Sequence, residues 1–453
     1  MKSTISYKAK IIKNNEKIAL RNTLLIYRNA VKFIANVVLE NFETISTFEY
    51  KEQQAMFIES LIHTTKNNNA LYKDFDKNFY KFPSYFRRDA IRQALGFVSS
   101  YMSNLKNYEE ERKIAISNGL KFKKKKPTLN LNINVFPSFY KDNMYIPYEG
   151  NTIYLKLFKN NDWVFVPLEL RTQDIKYIEN VLNSFDSKIG NPSLVYSYGN
   201  FKLQYPIEVK YELKKEPKFK QIKNLKILSI DLGVNTDATC SVLNGDGTIV
   251  GRYFINSPID KDRRTHLLNK KKKLQKQSGN YKYAPLKKID TKLKGYDDNI
   301  ANQTSHKILQ IALKENCKVI VFENLSGNFK GSRSQKLNHW RKKAIIKKTC
   351  KKAHIYGIRY ATVSPKNTSK LAFDGSGEVI RDTKNYSLCT FKNGKQYNCD
   401  LSASYNIGAR YLLKLIQKTI SEKKWSGVLA KVPELQKRTN ITYSTLIKVL
   451  DIL

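Results

Sequence analysis

The sequence is short of the residues that staple folds together. Its five cysteines, Cys240, Cys317, Cys350, Cys389 and Cys399, are odd in number and scattered, with no C-x-x-C pair. That excludes a disulfide framework and a standard zinc knuckle, and it predicts a reducing compartment. No stretch approaches the roughly 20 apolar residues that cross a bilayer, and the opening MKSTISYKAK has no apolar signal core, so a cytosolic or nucleoid-associated protein with no membrane partner is expected. Acidic residues are also few. Lys and Arg number 81 against 39 Asp and Glu, a formal net charge of +42, which repels itself unless a polyanion shares the surface. A nucleic-acid partner is the natural reading. A basic coat serving only solubility is the bland alternative, but negative charge solubilises better.

The chain does have length and apolar content. Its 453 residues predict about three domains, and 41% hydrophobic residues suffice for sizeable cores. The 28 Tyr and 22 Phe suit stacking on unpaired bases as well as core filling. Residues 3–12 read as a strand, and from Ile18 the spacing becomes helical, with Leu24, Val31, Ile34 and Val38 on one face. A second helix starts at Pro83-Ser84 with Phe86, Ile91, Leu95, Val98 and Met102 near one stripe. The run KFKKKKP at 121–127 marks a boundary, because like charges repel and Pro127 blocks a helix. After it LNLNINVF alternates with period two, and MYIPY, TIYLKLF, WVFVPLEL and the stretch from Ser193 to Leu213 give further strands, with a short helix over 173–185. A β-barrel or twisted sheet over 1–15 and 121–220, interrupted by a helical region at 16–120, is expected.

From residue 221 the order of elements changes. KILSIDLGV, ATCSVLN and TIVGRYFI read as an antiparallel meander with a turn at Gly245-Asp246-Gly247. Then come a helix at 303–313, the strand KVIVFEN, a helix near 336–353, the strand IRYATVSP and a helix at 402–420. This is the order of an RNase H-like fold, and the expected class is α+β multidomain. Three acids punctuate it: Asp231 closes the apolar run ILSI, Glu323 closes VIVF, and Asp400 precedes the last helix. Singly each has an ordinary explanation as a turn carboxylate, a strand-end residue or a helix N-cap. Together, at the active-site end of such a sheet, they form a hard-oxygen site for two Mg²⁺ or Mn²⁺ ions and metal-assisted phosphodiester hydrolysis. No general-base histidine is required, which fits a chain with only five.

The segments IDLGVN, FENL and CDLSASYNIGARY, with LQKQ, ANQTSHKILQIA and NHWRKKAIIKKTCKKAHIYGIRYATVSPKNTSK between them, resemble the split RuvC nuclease motifs of the TnpB family, transposon-encoded RNA-guided endonucleases related to compact type V CRISPR effectors. The resemblance covers about residues 226–412 and is mainly architectural before that. It implies a RuvC-like nuclease domain at 221–420, with a basic helical insertion at 261–300 and a zinc-ribbon insertion at 366–399, followed by a tail at 421–453. The N-terminal half would be a wedge barrel carrying a helical recognition domain. Asp231, Glu323 and Asp400 would be catalytic metal ligands. A guide RNA, double-stranded target DNA and its displaced single strand would be the partners, in a prokaryotic cytoplasm. The ribbon departs from the family pattern, since only Cys389 and Cys399 remain of its usual four cysteines. A degenerate ribbon without zinc is expected, with zinc held by these two and nearby His or Asp as the alternative.

The resemblance also assigns nucleic-acid contacts. Tyr85, Arg88 and Gln93 on the helix from Ser84 have side chains able to reach base edges or phosphates beside the target. Lys123, Lys124 and Lys125 in the basic run, and Lys270, Lys271, Lys272 and Lys273 in the insertion, suit backbone phosphates of a guide-target duplex. The expected activity is RNA-guided DNA cleavage beside a short adjacent motif. An RNA-guided repressor that binds without cutting, and a transposase, are the alternatives.

Overall fold

The computed structural model describes residues 2–12, 16–131, 135–147, 150–197, 199–213, 219–279, 284–325 and 341–453. The chain divides into two compact units, one of residues 4–209 and one of residues 210–453 together with 1–3. Half a dozen helices and seven strands belong to the earlier unit: β1 (Lys2–Lys10), α1 (Lys17–Glu40), α2 (Phe42–Ser46), α3 (Lys51–Ile62), α4 (Asp74–Asn78), α5 (Ser84–Ser117), β2 (Tyr145–Pro147), β3 (Thr152–Lys159), β4 (Asp162–Glu169), α6 (Thr172–Ser184), β5 (Ser187–Ile189), β6 (Ser193–Ser197) and β7 (Asn200–Lys210). The later unit contains α7 (Phe219–Ile222), β8 (Lys226–Asp231), β9 (Ala238–Asn244), β10 (Ile249–Ile255), α8 (Pro258–Ser278), α9 (Ala284–Lys314), β11 (Val319–Glu323), α10 (Lys342–Ile355), β12 (Arg359–Val363), β13 (Ile380–Arg381), β14 (Leu388–Thr390), β15 (Gln396–Asn398), α11 (Cys399–Thr419), α12 (Glu422–Lys431) and α13 (Tyr443–Ile452).

In the earlier unit no closed barrel forms among the described residues. Two small sheets stand in its place, β2-β3-β4 and β1-β7-β5 with β6 also on β7, and a single bridge from Ile11 to Leu170 links them. Buried Asp174 ties β1 to α6, accepting hydrogen bonds from Tyr7 Oη at 2.7 Å, Lys10 N at 2.8 Å and Arg171. The alternating run LNLNINVF forms no strand among its described residues, and residues 132–134 lie outside them. Its polar positions are all asparagine, which strands disfavour. Helices α1 and α5 pack through Tyr27 and Phe86, whose ring centroids lie 5.6 Å apart.

The later unit is built on a five-stranded sheet of order β10-β9-β8-β11-β12. Strands β8, β9 and β10 pair antiparallel, and β11 runs parallel to both β8 and β12. Both faces are covered, which is why its central strands read as apolar runs. Leu228, Ile230, Cys240, Val242, Ile320 and Phe322 face α9 and α10. The intervening residues Ile227, Leu243, Val319 and Val321 meet α11 and the C-terminal helices. Helix α9 is one continuous helix from the lysine-rich insertion into the sheet core, where the sequence reading has an insertion followed by a separate shorter helix. Residues 421–453, expected as a tail, form α12 and α13, and Val428, Leu446 and Val449 are buried in the same core. Residues 326–340, which hold the start of the helix expected at 336, lie outside the described residues.

Helix α11 lies unusually close to β8 and β9. A Cβ on Gly408 would stand 2.9 Å from Leu243 Cδ2 and 3.1 Å from Ser229 Oγ, and Ser404 Oγ meets Ser241 Oγ at 2.5 Å. Gly408→Val is therefore expected to cost about 1–3 kcal/mol through overpacking, read as a lowered midpoint in urea unfolding.

Candidate active site

Two of the three acids share a sheet face by simple alternation. Val319 pairs with Ile227 and Val321 with Ser229 across the parallel ladder. The next residues on that face are Glu323 and Asp231, so the same register sets them side by side at the carboxyl ends of adjacent strands, about 4.8 Å apart between backbones. This is the face α11 covers. The first turn of α11 carries Asp400, while the helix cap is Asn398, whose Oδ1 accepts from Leu401 N at 2.9 Å. Asp400 is thus released from the capping role that its sequence position allows.

The electrostatics report the gathering. Burial pushes Asp231 well above the usual carboxylate range, and the charges of Glu323 and Asp400 push it further, while Arg381 opposes them. Asp231 keeps partial solvent access. Asp400 is raised by burial and drawn down by Arg381. Glu323 is raised by burial, against a hydrogen bond from Thr368 and the charges of Arg410 and Lys342. The donors are hard oxygens, the chemistry Mg²⁺ and Mn²⁺ select. Among the described residues, however, no group of three His, Cys, Asp or Glu side chains is arranged to hold a metal ion.

Residues that sequence reading missed hold Glu323 in place. Thr368 Oγ1 donates to Glu323 Oε1. The loop bearing Thr368 is clamped by Asn406, fully buried on α11, whose Nδ2 donates to Thr368 O at 3.0 Å and Leu371 O at 2.9 Å. One turn on, buried Arg410 gives four of its five N–H groups to the carbonyls of Ser364, Lys366, Thr439 and Ile441. Burial lowers its pKa to about 10, with Glu323 pulling the other way. The available signal was a polar residue repeating at helical spacing, 402, 406 and 410, on a helix otherwise buried almost all round.

Asp400 follows the small sheet β13-β14-β15. Cys389 and Cys399 are buried there as free thiols in contact with each other, and burial pushes Cys389 up to about 12. Around them Phe373 centres an aromatic cluster, with ring centroids of Tyr397 at 5.0 Å, Tyr405 at 5.2 Å, Phe391 at 5.6 Å and Tyr443 at 6.1 Å. Tyr405 Oη meets Tyr397 Oη at 2.9 Å and accepts from Arg252 Nε at 2.6 Å. This small sheet therefore has an apolar core anchored to α11 and β10.

The expected nucleic-acid contacts divide. Gln93 makes internal bonds: its Nε2 lies within hydrogen-bond reach of Tyr27 Oη, Asp89 Oδ2 and Phe136 O at 2.8–3.1 Å, and the side chain is half-buried. Tyr85 packs against Tyr140 with tilted rings, centroids 5.1 Å apart; Tyr140 accepts from Arg92 at 2.9 Å, and Arg88 is exposed on α5. Lys123, Lys124 and Lys125 are exposed on an irregular segment, with Lys124 paired to Glu111. Lys270, Lys272 and Lys273 are exposed on α8, and Lys271 pairs with Asp290 at 2.6 Å.

Comparison with known proteins adds likenesses. Residues 3–159 match the Aq_aa04 family, about a third of the chain. No curated protein matches. Among solved structures the chain is similar to Cas12f1 in a complex with sgRNA and target DNA, at 15% identity over 89% of this chain and 98% of that one, with a TM-score of 0.33. It is similar to CasPhi-2 (Cas12j) bound to crRNA and phosphorothioate DNA at 11% identity, 90% and 91% coverage and TM-score 0.44. It is also similar to AacC2c1 with sgRNA and extended non-target DNA at 10% identity and TM-score 0.45, covering 82% of this chain and 62% of that one. With TM-scores below 0.5 these likenesses carry no functional argument.

Two outcomes follow from the side chains. A carboxyl whose folded pKa is raised costs nothing below its unfolded value near 4 and destabilises increasingly as pH climbs through the folded value. In chelator at pH 7, Asp231→Asn is therefore expected to raise the melting temperature by at least about 2 °C, an advantage that vanishes near pH 4. Phe391→Ala, at a side chain 2% exposed, is expected to cost about 3–5 kcal/mol locally, measured as faster hydrogen exchange across 372–399.

Proposed function

We propose that this chain is an RNA-guided DNA endonuclease with a RuvC-like, RNase H-type nuclease domain over 221–420, associated with a transposon or a compact CRISPR system. The observation that carries the reading is the convergence of Asp231, Glu323 and Asp400, from β8, β11 and α11, on one face at the strand ends. Like charges assembled against their own repulsion call for a cation or a proton. The strand order β10-β9-β8-β11-β12, with its antiparallel half followed by a parallel half, supports the RNase H-type assignment, and a net charge of +42 supports RNA and DNA as partners.

In this reading Asp231, Glu323 and Asp400 would hold Mg²⁺ or Mn²⁺, which when bound supply Lewis-acid activation of a water and of the scissile phosphodiester. The chain's own residues do the rest. Thr368 orients Glu323, Asn406 and Arg410 fix the loop behind Thr368, and Arg381 keeps a positive charge beside Asp231 and Asp400. The basic hairpin of α8 and α9 and the Tyr85, Arg88 and Arg92 face of α5 would grip duplex backbones and the DNA flank. The ribbon at 366–399 would be held by its aromatic core in place of zinc.

A second reading, guided DNA binding without cleavage, is favoured by one observation: no three carboxylates among the described residues stand in a metal-holding arrangement. Incubation of the purified protein with its copurifying RNA, a plasmid bearing the matching target and Mg²⁺ separates the two. Cleavage is expected, and Asp231→Ala is expected to reduce it by at least about 100-fold while RNA binding persists. Equal cutting by Asp231→Ala overturns the assignment of the site, and tight target binding with no nicking in Mg²⁺ or Mn²⁺ overturns the nuclease in favour of the binder.

A further inference from the structure

The outer edge of the sheet carries a feature the catalytic reading does not use. β12 is an edge strand, and two cavities lie along it against the back of α11. One, of about 850 Å³, opens between α11, α12 and the residues that lead into α13. The other, of about 310 Å³, continues it toward the start of β12. They share Thr362, Lys414 and Lys418 as lining residues, so they form one groove. Aromatic rings mark its length: Tyr360, 46% exposed, and Tyr411 in the smaller cavity, and half-buried Trp425 in the larger. Lys414 and Lys418, one helical turn apart and both exposed, stand where the cavities meet. Leu413, Leu429 and Leu435 supply apolar walls.

Aromatic platforms with lysines between them are the chemistry that holds unpaired nucleotides: bases stack on rings while cations track the phosphates. A duplex cannot use it, because its bases already stack on one another. An acidic peptide would answer the lysines but would leave the faces of Tyr360, Tyr411 and Trp425 without flat rings to stack on them. We propose that this groove binds a short segment of single-stranded DNA, two or three nucleotides long, with one base against Trp425 and the phosphates on Lys414 and Lys418. DNA is favoured over RNA by position. Asp400 and Lys414 lie fourteen residues apart on the same helix, or about 21 Å, a span a strand continuing from the acidic site covers in a few nucleotides. Arg410 lines the larger cavity and acts electrostatically on Glu323, so the groove and the acids share a residue.

The inference rests on the nucleic-acid partner and the acidic site of the proposed function, but its test does not require cleavage. Full-length protein is irradiated with a single-stranded DNA carrying 5-iodouracil at every thymine position, in parallel with an RNA of the same sequence carrying 5-iodouridine, and the attached peptides are sequenced. The DNA is expected to attach at Trp425 and at Tyr411 or Tyr360. Trp425→Ala is expected to abolish the first adduct and weaken binding of a short single-stranded DNA about tenfold, whereas Trp425→Phe, which keeps a stacking face, retains most of both. Lys414→Gln with Lys418→Gln is expected to flatten the salt dependence of that binding. Adducts confined to other segments, adducts formed only by the RNA, or a Trp425→Ala affinity within twofold of wild type would overturn the groove. Plasmid cleavage without groove adducts sinks the groove alone, and groove adducts without cleavage sink the nuclease alone.

Discussion

Helix α11 pressed flat against β8 and β9 is the contact from which the acidic site follows. Gly408, Ser404 and Ala403 let the helix backbone approach where a larger side chain would hold it off. That approach brings the first turn, with Asp400, over the strand ends that bear Asp231 and Glu323. It also buries Asn406 and Arg410, which have no water to turn to and so take up the carbonyls of the 364–371 and 439–441 segments. A buried guanidinium is tolerable because its donors are satisfied. The same bonds that satisfy it fix the loop that offers Thr368 to Glu323.

The acids oppose this geometry. The charges of Glu323 and Asp400 raise the proton affinity of Asp231, and among the described residues Arg381, Arg410, Lys342 and the Thr368 hydrogen bond work the other way across the three acids. The sheet's covered faces and the close packing of α11 hold together what the charges would push apart. Repulsion of this kind is offset by packing elsewhere. The small sheet β13-β14-β15 solves a related problem. Its strands are two or three residues long, too short to stand alone, and Phe373 with its ring neighbours supplies the core that keeps the segment leading to Asp400 ordered.

Much of this is legible in the sequence because it obeys short periods. The runs KILSID, ATCSVLN and VIVFE read as strands since both faces of the sheet are covered, and Asp231 and Glu323 stand out as charges closing such runs. Asn406 and Arg410 are not legible in the same way. Their partners are backbone carbonyls 29–46 residues distant, and no local pattern encodes them. An amide suited to a base edge is equally suited to Tyr27 on α1 and to Asp89 one turn away on its own helix, and no local pattern announces that Gln93 meets both. LNLNINVF misleads because period two describes side-chain direction but says nothing of whether a neighbouring strand exists to pair with it. The aromatic core of the ribbon is hidden by spacing, since its rings come from positions 373 to 443.

The division of the chain near residue 209 has a bearing on how the protein is made. Apart from its first three residues, each compact unit is one uninterrupted stretch. On a ribosome the earlier unit can complete its own contacts while the later one is still being translated. Within the later unit the order is less forgiving: β8 and β11 emerge well before α11, so the strand ends that bear Asp231 and Glu323 wait uncovered until residues 399–419 are synthesised. Assembly of the acidic site therefore waits on the arrival of a single helix.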